Sequence, residues 1–376
     1  MRRDSCCQVR SGSGGDLSGC SVRALAIIAL AGCLLTFNVG YAIAGDLIAI
    51  ATLGSGSAHV FDAGTGRRLT TIAVEDGAGI AGIAVSPDGA AMYVVDGNTR
   101  HRLRQFETHD WRETLSREFA NRVLLLSAGP VIHATADGRW VLVPTADPGA
   151  ASSGVRIFET TRGAFAPLGL SSEGCPRPRF TSAATGTVAM ICQEELRLWT
   201  SPASEMLSAS ATRRLPADGI AGAVITPDAA AVLAIDNAGV GRQAKLLRIP
   251  LRMDEPIETA ALTALLGTTP RSGGNDPSIL DVSRDGARAT VVKGTDAVLL
   301  DPARLTSLKR IRLTAPAAAA KLSANGDVLY TLSREVGRLH LHRINVATGA
   351  VGDVVLLEDL PEAPIAWHVW IEPRQP

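Results

Sequence analysis

The sequence has no excess of charge of either sign. Lysine and arginine together number 37, and so do aspartate and glutamate. Without a net positive field the chain has no long-range attraction for nucleic acid or an anionic membrane surface, so neither is expected as a partner. Charged residues make up 20% of the chain and form no block of like sign, which excludes a long charged tail.

Recognisable catalytic motifs are also missing. The chain contains no Gly-x-Ser-x-Gly nucleophile elbow, no phosphate-binding glycine loop and no zinc helix motif. Its seven histidines are scattered, and the closest pair, His340 and His342, falls on one side of a predicted strand without a third ligand nearby. We therefore expect no catalytic activity of its own, no cofactor and no metal, and we interpret the two histidines as part of a solvated strand face.

The N-terminal segment has the features of an export signal. Basic residues precede an apolar run of 21 residues, which ends in Ala42-Ile43-Ala44, the small-x-small pattern at which signal peptidases cut. The basic residues are Arg2, Arg3, Arg10 and Arg23. We predict that residues 1–44 are a signal peptide and that residues 45–376 form the mature protein, periplasmic or secreted.

Two alternatives would place the same segment in a membrane. The apolar run is long enough to span a bilayer as an uncleaved anchor facing the periplasm, since roughly 20 apolar residues suffice. Leu30-Ala31-Gly32-Cys33 also matches a lipoprotein cleavage box, in which Cys33 would carry the lipid. The residues after Cys33 stay apolar, where a lipoprotein normally becomes polar.

Cysteine usage agrees with export. Four of the six cysteines lie in the predicted signal peptide, which leaves only Cys175 and Cys192 in the mature chain. An isolated pair in an oxidising compartment predicts a disulfide. The alternative is two buried thiols that never meet, because sequence does not supply the geometry that a bridge requires.

A tight turn between two short apolar stretches recurs along the mature chain. The clearest copy is "VSPDGAAMYVVD", Val85 to Asp96, and each copy has the pattern of a β-hairpin. Five further copies follow at intervals of about 40 to 57 residues, with turns at Asp137, Gly186, Asp228, Asp285 and Asn325. Six copies indicate a repeating unit rather than an isolated hairpin.

A second marker, in which a strand ends in a polar turn and another strand begins, runs out of phase with the first. It occurs seven times, about 47 residues apart, at Asp62, Glu107, Glu159, Thr200, Pro250, Asp301 and Asn345. Together the two markers predict four strands per unit, which we name a, b, c and d. Units of this length, arranged radially, make a β-propeller.

The ends of the mature chain complete the count. Asp46 to Thr52 fits a strand b with no strand a before it, and Ala363 to Pro373 fits a strand a with nothing after it. Pairing these two segments closes an all-β, seven-bladed propeller and leaves no unpaired inner edge. The clearest helical pattern is "IETAALTALLG", Ile257 to Gly267.

The units "AGIAVSPDGAAMYVVD" and "HVFDAGTGRRLTTIAV" resemble the repeat of YVTN-type seven-bladed propellers, and the similarity covers nearly the whole mature chain. That group includes exported binding proteins, lactonase-like enzymes and heavy subunits of quinone-dependent amine dehydrogenases, so the resemblance implies a fold and leaves the function open. A finer resemblance lies in "EGCPRPRFTSAATGTVAMICQEELRLW", whose cysteines bracket one a-to-b hairpin as a disulfide does in those heavy subunits. It would imply a non-catalytic subunit with a small partner chain.

One register of the predicted a strands carries a candidate ligand site. The residues three before the turn proline, or its equivalent, are Ala84, His133, Thr181, Val224, Asp281, Lys321 and Trp370. Because these strands surround the propeller axis, His133, Asp281 and Lys321 are candidates to hold a small polar or charged ligand there. The alternative is that Asp281 and Lys321, from adjacent blades, form a structural ion pair, since buried charges need partners.

A second candidate site lies on one face of the ring. Strands alternate in direction, so the b-to-c and d-to-a connections all emerge on this face, and the longest of them are residues 96–102, 145–154 and 267–277. Long loops on a rigid scaffold often carry binding residues, although a solvated loop side chain is the alternative for each. The candidates are Arg100, Arg102, Asn275 and Asp276.

These observations predict an exported propeller that binds a partner protein or a small ligand through its long-loop face. Two alternatives come from the resemblance: the heavy subunit of a periplasmic amine dehydrogenase, and a lactonase-like hydrolase. A small cysteine-rich partner chain would favour the first, and a metal on the axis would favour the second.

Overall fold

The chain forms an all-β, seven-bladed propeller of antiparallel four-stranded blades. The computed structural model describes residues 47–51, 56–73, 79–96, 101–119, 122–123, 132–146, 153–167, 169–175, 178–200, 209–217, 219–237, 243–267, 278–323, 326–335, 338–357 and 370–371. The predicted signal peptide lies outside these residues. None of the helical structure in the described part of the chain has the length and apolarity needed to cross a bilayer.

The first three blades contain strands β1 to β13. Blade 1 has β1 (Leu47–Ala51), β2 (Ser57–Asp62) and β3 (Arg68–Ala73). Blade 2 has β4 (Ile80–Val85), β5 (Ala91–Asp96), β6 (Arg102–Glu107) and β7 (Glu113–Glu118). Blade 3 has β8 (Arg122–Val123), β9 (His133–Ala134), β10 (Trp140–Ala146), β11 (Ser153–Glu159), β12 (Ala164–Phe165) and β13 (Leu170–Ser171). Its inner and outer positions are each shared by two short strands.

The remaining strands complete the ring. Blade 4 has β14 (Arg179–Ser182), β15 (Val188–Cys192), β16 (Glu195–Trp199) and β17 (Ala211–Arg214). Blade 5 has β18 (Ile220–Ile225), β19 (Ala231–Asp236), β20 (Lys245–Pro250) and β21 (Glu258–Ala261), followed by helix α1 (Leu262–Leu266). Blade 6 has β22 (Ser278–Val282), β23 (Ala289–Lys293), β24 (Asp296–Asp301) and β25 (Thr306–Arg312). Blade 7 has β26 (Ala317–Leu322), β27 (Val328–Glu335), β28 (Arg338–Asn345) and β29 (Val351–Leu357).

The last strand, β30 (Trp370–Ile371), returns to the first blade. It pairs antiparallel with β1, placing Ile371 opposite Ile48 and Trp370 opposite Ala49. Blade 1 is therefore assembled from the first and the last strand of the propeller, and the closure predicted from the sequence is confirmed.

The hydrophobic core lies between blades rather than inside one. Seven apolar clusters of described residues occur, one between each pair of neighbouring blades, including blades 7 and 1. The b strands are packed on both faces, and all six residues of β5 and of β19 are buried. This explains why the b strands appear in the sequence as continuous apolar runs.

The recurrent turn between strands a and b is stabilised by its own side chains. The Thr226 hydroxyl donates to Asp228 Oδ1 at 2.6 Å, and Asp228 Oδ1 accepts the Ala230 N–H at 3.0 Å. Ser283 and Asp285 make the same contacts in blade 6. These hydrogen bonds lower the pKa of Asp228 and of Asp285, because they favour the ionised carboxylate.

Gly326 is required both by the backbone conformation of its own turn and by the close approach of the neighbouring blade. Its φ is +69°, and a Cβ placed there would lie 2.9 Å from the Ser283 Cβ of blade 6. Blade 5 carries a non-glycine residue at the equivalent turn position, Ala229, with φ of 56°. The left-handed conformation costs an L-residue about 1 kcal/mol relative to glycine.

We therefore expect opposite effects from exchanging glycine and alanine at these two turns. Gly326→Ala should lower the free energy of unfolding by about 1 to 3 kcal/mol, from backbone strain and the clash. Ala229→Gly should raise it by about 0.5 to 1 kcal/mol. Denaturant unfolding of both variants measures this, and a loss of stability in Ala229→Gly would contradict the strain at that turn.

The outer rim is held by basic side chains that reach across blade boundaries. Arg117 of blade 2 donates to the Gly163 carbonyl of blade 3 at 2.8 Å. Arg213 of blade 4 donates to the Pro250 carbonyl of blade 5 at 3.0 Å, and Lys309 of blade 6 donates to a turn carbonyl of blade 7. These contacts fix the d strand of one blade to the c-to-d turn of the next.

The prediction of a helix over Ile257–Gly267 is correct only for the second half of this segment. Glu258–Ala261 forms strand β21, paired with β20, and only Leu262–Leu266 is helical. The open edge of β20 supplies backbone partners that outweigh the helix propensity of the alanines. The short helix ends at Gly267, where φ is 75°, and Arg310 donates to the Leu265 carbonyl at 2.9 Å.

Candidate ligand site on the propeller axis

The register that the sequence singled out lies on the innermost strand of every blade. Its members in blades 6 and 7, Asp281 and Lys321, pair with Thr290 and Tyr330 of the adjoining b strands. The a strands contact one another between blades 2 and 3, 4 and 5, 5 and 6, and 6 and 7. Each residue stands second from the end of its strand, so the ring lies nearer the tight a-to-b turns than the long-loop face.

Asp281 is the centre of the contact between blades 6 and 7. Its Oδ1 accepts the Lys321 Nζ at 2.6 Å, and its Oδ2 accepts the backbone N–H of Leu322 at 2.8 Å. The Asp281 side chain is 7% exposed, whereas that of Lys321 is 42% exposed. Both carboxylate oxygens are therefore engaged in the buried part of the contact, and Lys321 is the more exposed member of the pair.

His133 occupies the same register in blade 3. Its Nε2 lies 2.7 Å from the Ser182 Oγ of blade 4, and the same oxygen accepts the Ala136 N–H at 2.8 Å. If the serine gives its single hydroxyl hydrogen to Nε2, the neutral imidazole carries its proton on Nδ1. Burial, and to a smaller extent the positive charge of Lys321, lower the pKa of His133 to about 4.

Thr181 makes an equivalent hydrogen bond between blades 4 and 5. Its Oγ1 accepts the Ile225 N–H at 2.8 Å, just as Asp281 accepts the Leu322 N–H. The polar members of the ring thus reach from one blade to the next. His133 with Ser182 joins blades 3 and 4, and Asp281 with Lys321 joins blades 6 and 7.

The lowered pKa of His133 makes stability depend on pH in a defined window. Between pH 6.5 and about 4 the unfolded chain binds a proton at this residue that the folded chain does not, so the free energy of unfolding falls as the pH drops through that range. The loss is at most about 3 kcal/mol, at 1.36 kcal/mol per pKa unit. His59 and His342, whose pKa values are lowered chiefly by burial, act in the same direction.

We expect His133→Gln to flatten this dependence. Chemical unfolding of the wild type and the variant between pH 7 and pH 4 measures the difference, which isolates His133 from the other histidines. Equal slopes in the two proteins would show that His133 titrates normally in the folded state.

The other sequence candidates do not join this site. Arg102 lies at the start of β6, at the opposite end of the ring, where its Nε donates to Asp96 Oδ2 at 2.8 Å. Asp96 itself is fully buried as the last residue of β5, which corrects its placement in a loop. Burial raises the pKa of Asp96, although the contact with Arg102 opposes the shift. Arg100, Asn275 and Asp276 fall outside the described residues.

The predicted disulfide is present between Cys175 and Cys192, whose Cα atoms are 5.2 Å apart. Cys192 ends strand β15, and Cys175 lies in the connection that precedes β14. The bridge therefore ties the d-to-a connection to the end of strand b in blade 4. Both cysteines are buried within the cluster between blades 3 and 4.

The interpretation of His340 and His342 as a solvated strand face is wrong for His342. That side chain is buried, with Nε2 2.6 Å from Ser333 Oγ and Nδ1 3.3 Å from Thr314 Oγ1. With both ring nitrogens facing hydroxyls, neither is free for a metal. Among the described residues the metal-like grouping is Glu107, His109 and Asp110, on a c-to-d turn at the outer surface, where Arg112 also contacts Glu107.

Sequence reasoning missed two residues that shape these sites. Ser182 bridges His133 and the Ala136 N–H, and the buried Oδ1 of Asp96 has no hydrogen-bond partner in the part of the chain that the structure describes. The repeat alignment contained a signal for Asp96, since Asp236 ends the equivalent strand of blade 5. No local pattern marks Ser182, because its partners belong to another blade.

Comparison with solved structures supports the fold. The chain is similar to a protein of unknown function from Desulfotomaculum acetoxidans, with 14% identity, a TM-score of 0.61 and coverage of 87% of this chain and 99% of that one. A lactonase-like protein from Bacteroides fragilis matches at 14% identity and a TM-score of 0.57 over 89% and 100% of the two chains. Hydrazine synthase from Kuenenia stuttgartiensis matches at 14% identity and a TM-score of 0.55 over 80% and 89%.

No family model and no curated protein matches the chain. The resemblance to YVTN-type propellers therefore stays a prediction at the level of family. The structural neighbours differ in function, and at this identity they share the architecture alone. The comparisons establish that the chain is built on the seven-bladed β-propeller fold.

Proposed function

We propose that this chain is an exported, non-catalytic binding propeller that holds a small ligand in its axial channel. The observation that carries the proposal is the Lys321 ammonium, 42% exposed beside a carboxylate that is 7% exposed. Two of the three ammonium N–H groups are not directed to Asp281 and are the donors that a ligand would use. The Cys175–Cys192 bridge supports export, since disulfides persist in oxidising compartments.

The axial channel differs from the binding face that the sequence suggested. A partner protein on the long-loop face stays a second candidate, because the connection of residues 267–277 is about twice as long as the tight turns opposite. The two proposals are compatible, since the axial ring and the long-loop face lie toward different ends of the propeller.

Two enzyme-class alternatives are kept. A lactonase-like neighbour supports, at the level of fold, the hydrolase alternative. The Cys175–Cys192 bridge across the a-to-b hairpin supports the alternative of an amine dehydrogenase heavy subunit. A tightly bound metal in the purified protein would favour the first, and a small cysteine-rich chain that copurifies would favour the second.

Native purification followed by mass spectrometry of released small molecules tests the binding function. We expect the wild type to retain a small molecule that Lys321→Met loses. The matched control is Lys245→Met, which removes the same charge from an exposed site at the start of β20, outside the channel. Equal retention by all three proteins, or retention by none, would contradict an axial ligand site.

A further inference from the structure

We propose that the axial site is selective for a small anion that carries a carboxylate or phosphate group. This inference rests on the proposed binding function and specifies the chemistry of its ligand. The inference follows from a comparison of the ring's hydrogen-bond acceptors, which are already bonded within the protein, with its donors, which are only partly used.

The acceptors of the ring are occupied. Both oxygens of Asp281 are bonded, one to Lys321 and one to the Leu322 N–H, and the residue is 5% exposed. Thr181 Oγ1 accepts the Ile225 N–H and is also buried. A cationic ligand would have to displace Lys321 from Asp281, at a cost in both hydrogen bonding and charge pairing.

The donors of the ring are only partly used. The Lys321 ammonium has three N–H groups, and one of them is directed to Asp281. His133 uses Nε2 for Ser182, and Nδ1 has no partner among the described residues. A carboxylate or phosphate oxygen accepts from the ammonium, and also from Nδ1 in the tautomer in which Ser182 donates to Nε2. Charge-assisted hydrogen bonds of this kind are stronger than neutral ones.

The two donors belong to blades on opposite sides of the axis. Lys321 lies in blade 7 and His133 in blade 3, in the same register of the inner strands. The lysine charge is, after burial, the smaller of the two causes that lower the pKa of His133. Ala84 and Val224, in the same register, add no charge of their own. The N–H groups of the Lys321 ammonium that are not bonded to Asp281 are therefore the charged donors that the ring leaves for a ligand, which suits a small anion rather than a polymer.

Isothermal titration calorimetry with defined probes tests the inference. The probes are inorganic phosphate and succinate as anions, glucose as a neutral molecule and spermidine as a cation. We expect the wild type to bind phosphate or succinate with a Kd of about 1 mM or tighter, and neither of the other two. Comparing phosphate with succinate distinguishes a phosphate source from a carboxylate source.

The variants identify the site. Lys321→Met should weaken anion binding at least tenfold, Lys321→Arg should retain it because the cation is kept, and Lys245→Met should leave it unchanged. Circular dichroism and melting curves confirm that each variant is folded. If Lys321→Met were misfolded, His133→Gln would test the same site, with an expected weakening of about threefold or more, the loss of one neutral hydrogen bond.

Two results would overturn the anion assignment. One is the absence of anion binding by the wild type up to 10 mM, and the other is binding unaffected by both Lys321→Met and His133→Gln. If native protein then still retained a neutral or cationic molecule in a Lys321-dependent way, the binding function would stand while the anion assignment failed. If it retained nothing, both would fail.

Discussion

Removing residues 362–376 is expected to open the ring and produce a protein that aggregates. The deletion takes away β30, which pairs with β1 through Ile371 and Trp370. The exposed edge would be that of a strand whose Ile48, Ala49 and Ile50 are fully buried. Each buried backbone group left without its partner costs about 1 to 3 kcal/mol, so the total loss should exceed about 2 kcal/mol. An open inner edge is also a template for pairing with other chains.

Size-exclusion chromatography and thermal melting measure the outcome. The control removes only residues 374–376, which lie beyond β30, and it should behave like the wild type. A soluble monomer with an unchanged melting curve after the longer deletion would show that β30 contributes little to closure.

Loss of the Cys175–Cys192 bridge is expected to lower the free energy of unfolding by about 3 kcal/mol. In the chain-entropy model, the effect follows from the loop that the bridge closes, here with a sequence separation of 17. The bridge joins two segments on either side of strand β14. Its loss lets the chain between the two cysteines adopt more conformations in the unfolded state, which favours unfolding. Equilibrium unfolding with and without reductant measures the change.

The matched control is the double variant Cys175→Ala with Cys192→Ala. Reductant should destabilise the wild type and leave the double variant unaffected, which separates the cross-link from the packing of the sulfur atoms. Peptide mapping of the exported, non-reduced protein provides an independent check. Two free thiols in that experiment would contradict the bridge.

The axial ion pair also has a structural consequence that is separate from ligand binding. Because Lys321 is half exposed, its loss should cost less than the 3 to 5 kcal/mol associated with breaking a fully buried pair. The buried N–H of Leu322 depends on Asp281 as its acceptor, so the carboxylate carries most of the structural role. The ligand and structural roles of the ring are thus divided between two residues of the same pair.

Because the blades repeat, most of the fold could be predicted from local sequence patterns. The a-to-b turns are encoded within a few residues: a hydroxyl, an aspartate and a residue in the left-handed region, as at Thr226, Asp228 and Ala229. The strand that follows is buried on both faces, so it appears as an apolar run. Since each blade repeats this information, errors at one position, such as the missed strand Glu258–Ala261, did not change the count of blades.

The positions of the axial residues could be predicted for the same reason, but their hydrogen-bond partners could not. Alignment on the turns placed His133, Asp281 and Lys321 on the inner strands, because strand position is set by distance from the turn. Which atoms meet depends on how neighbouring blades are rotated against each other, and that rotation follows from the packing of the apolar clusters between them.

Tertiary structure alone therefore decided which side chains are available for binding. It buried Asp281 against the Leu322 N–H, left Lys321 exposed beside it, and brought Ser182 to His133. It also assigned Arg102 to Asp96 at the other end of the ring. Strand period and turn chemistry are local properties that a sequence displays directly, whereas burial and hydrogen-bond partners across blades arise from contacts between residues about 40 or more positions apart.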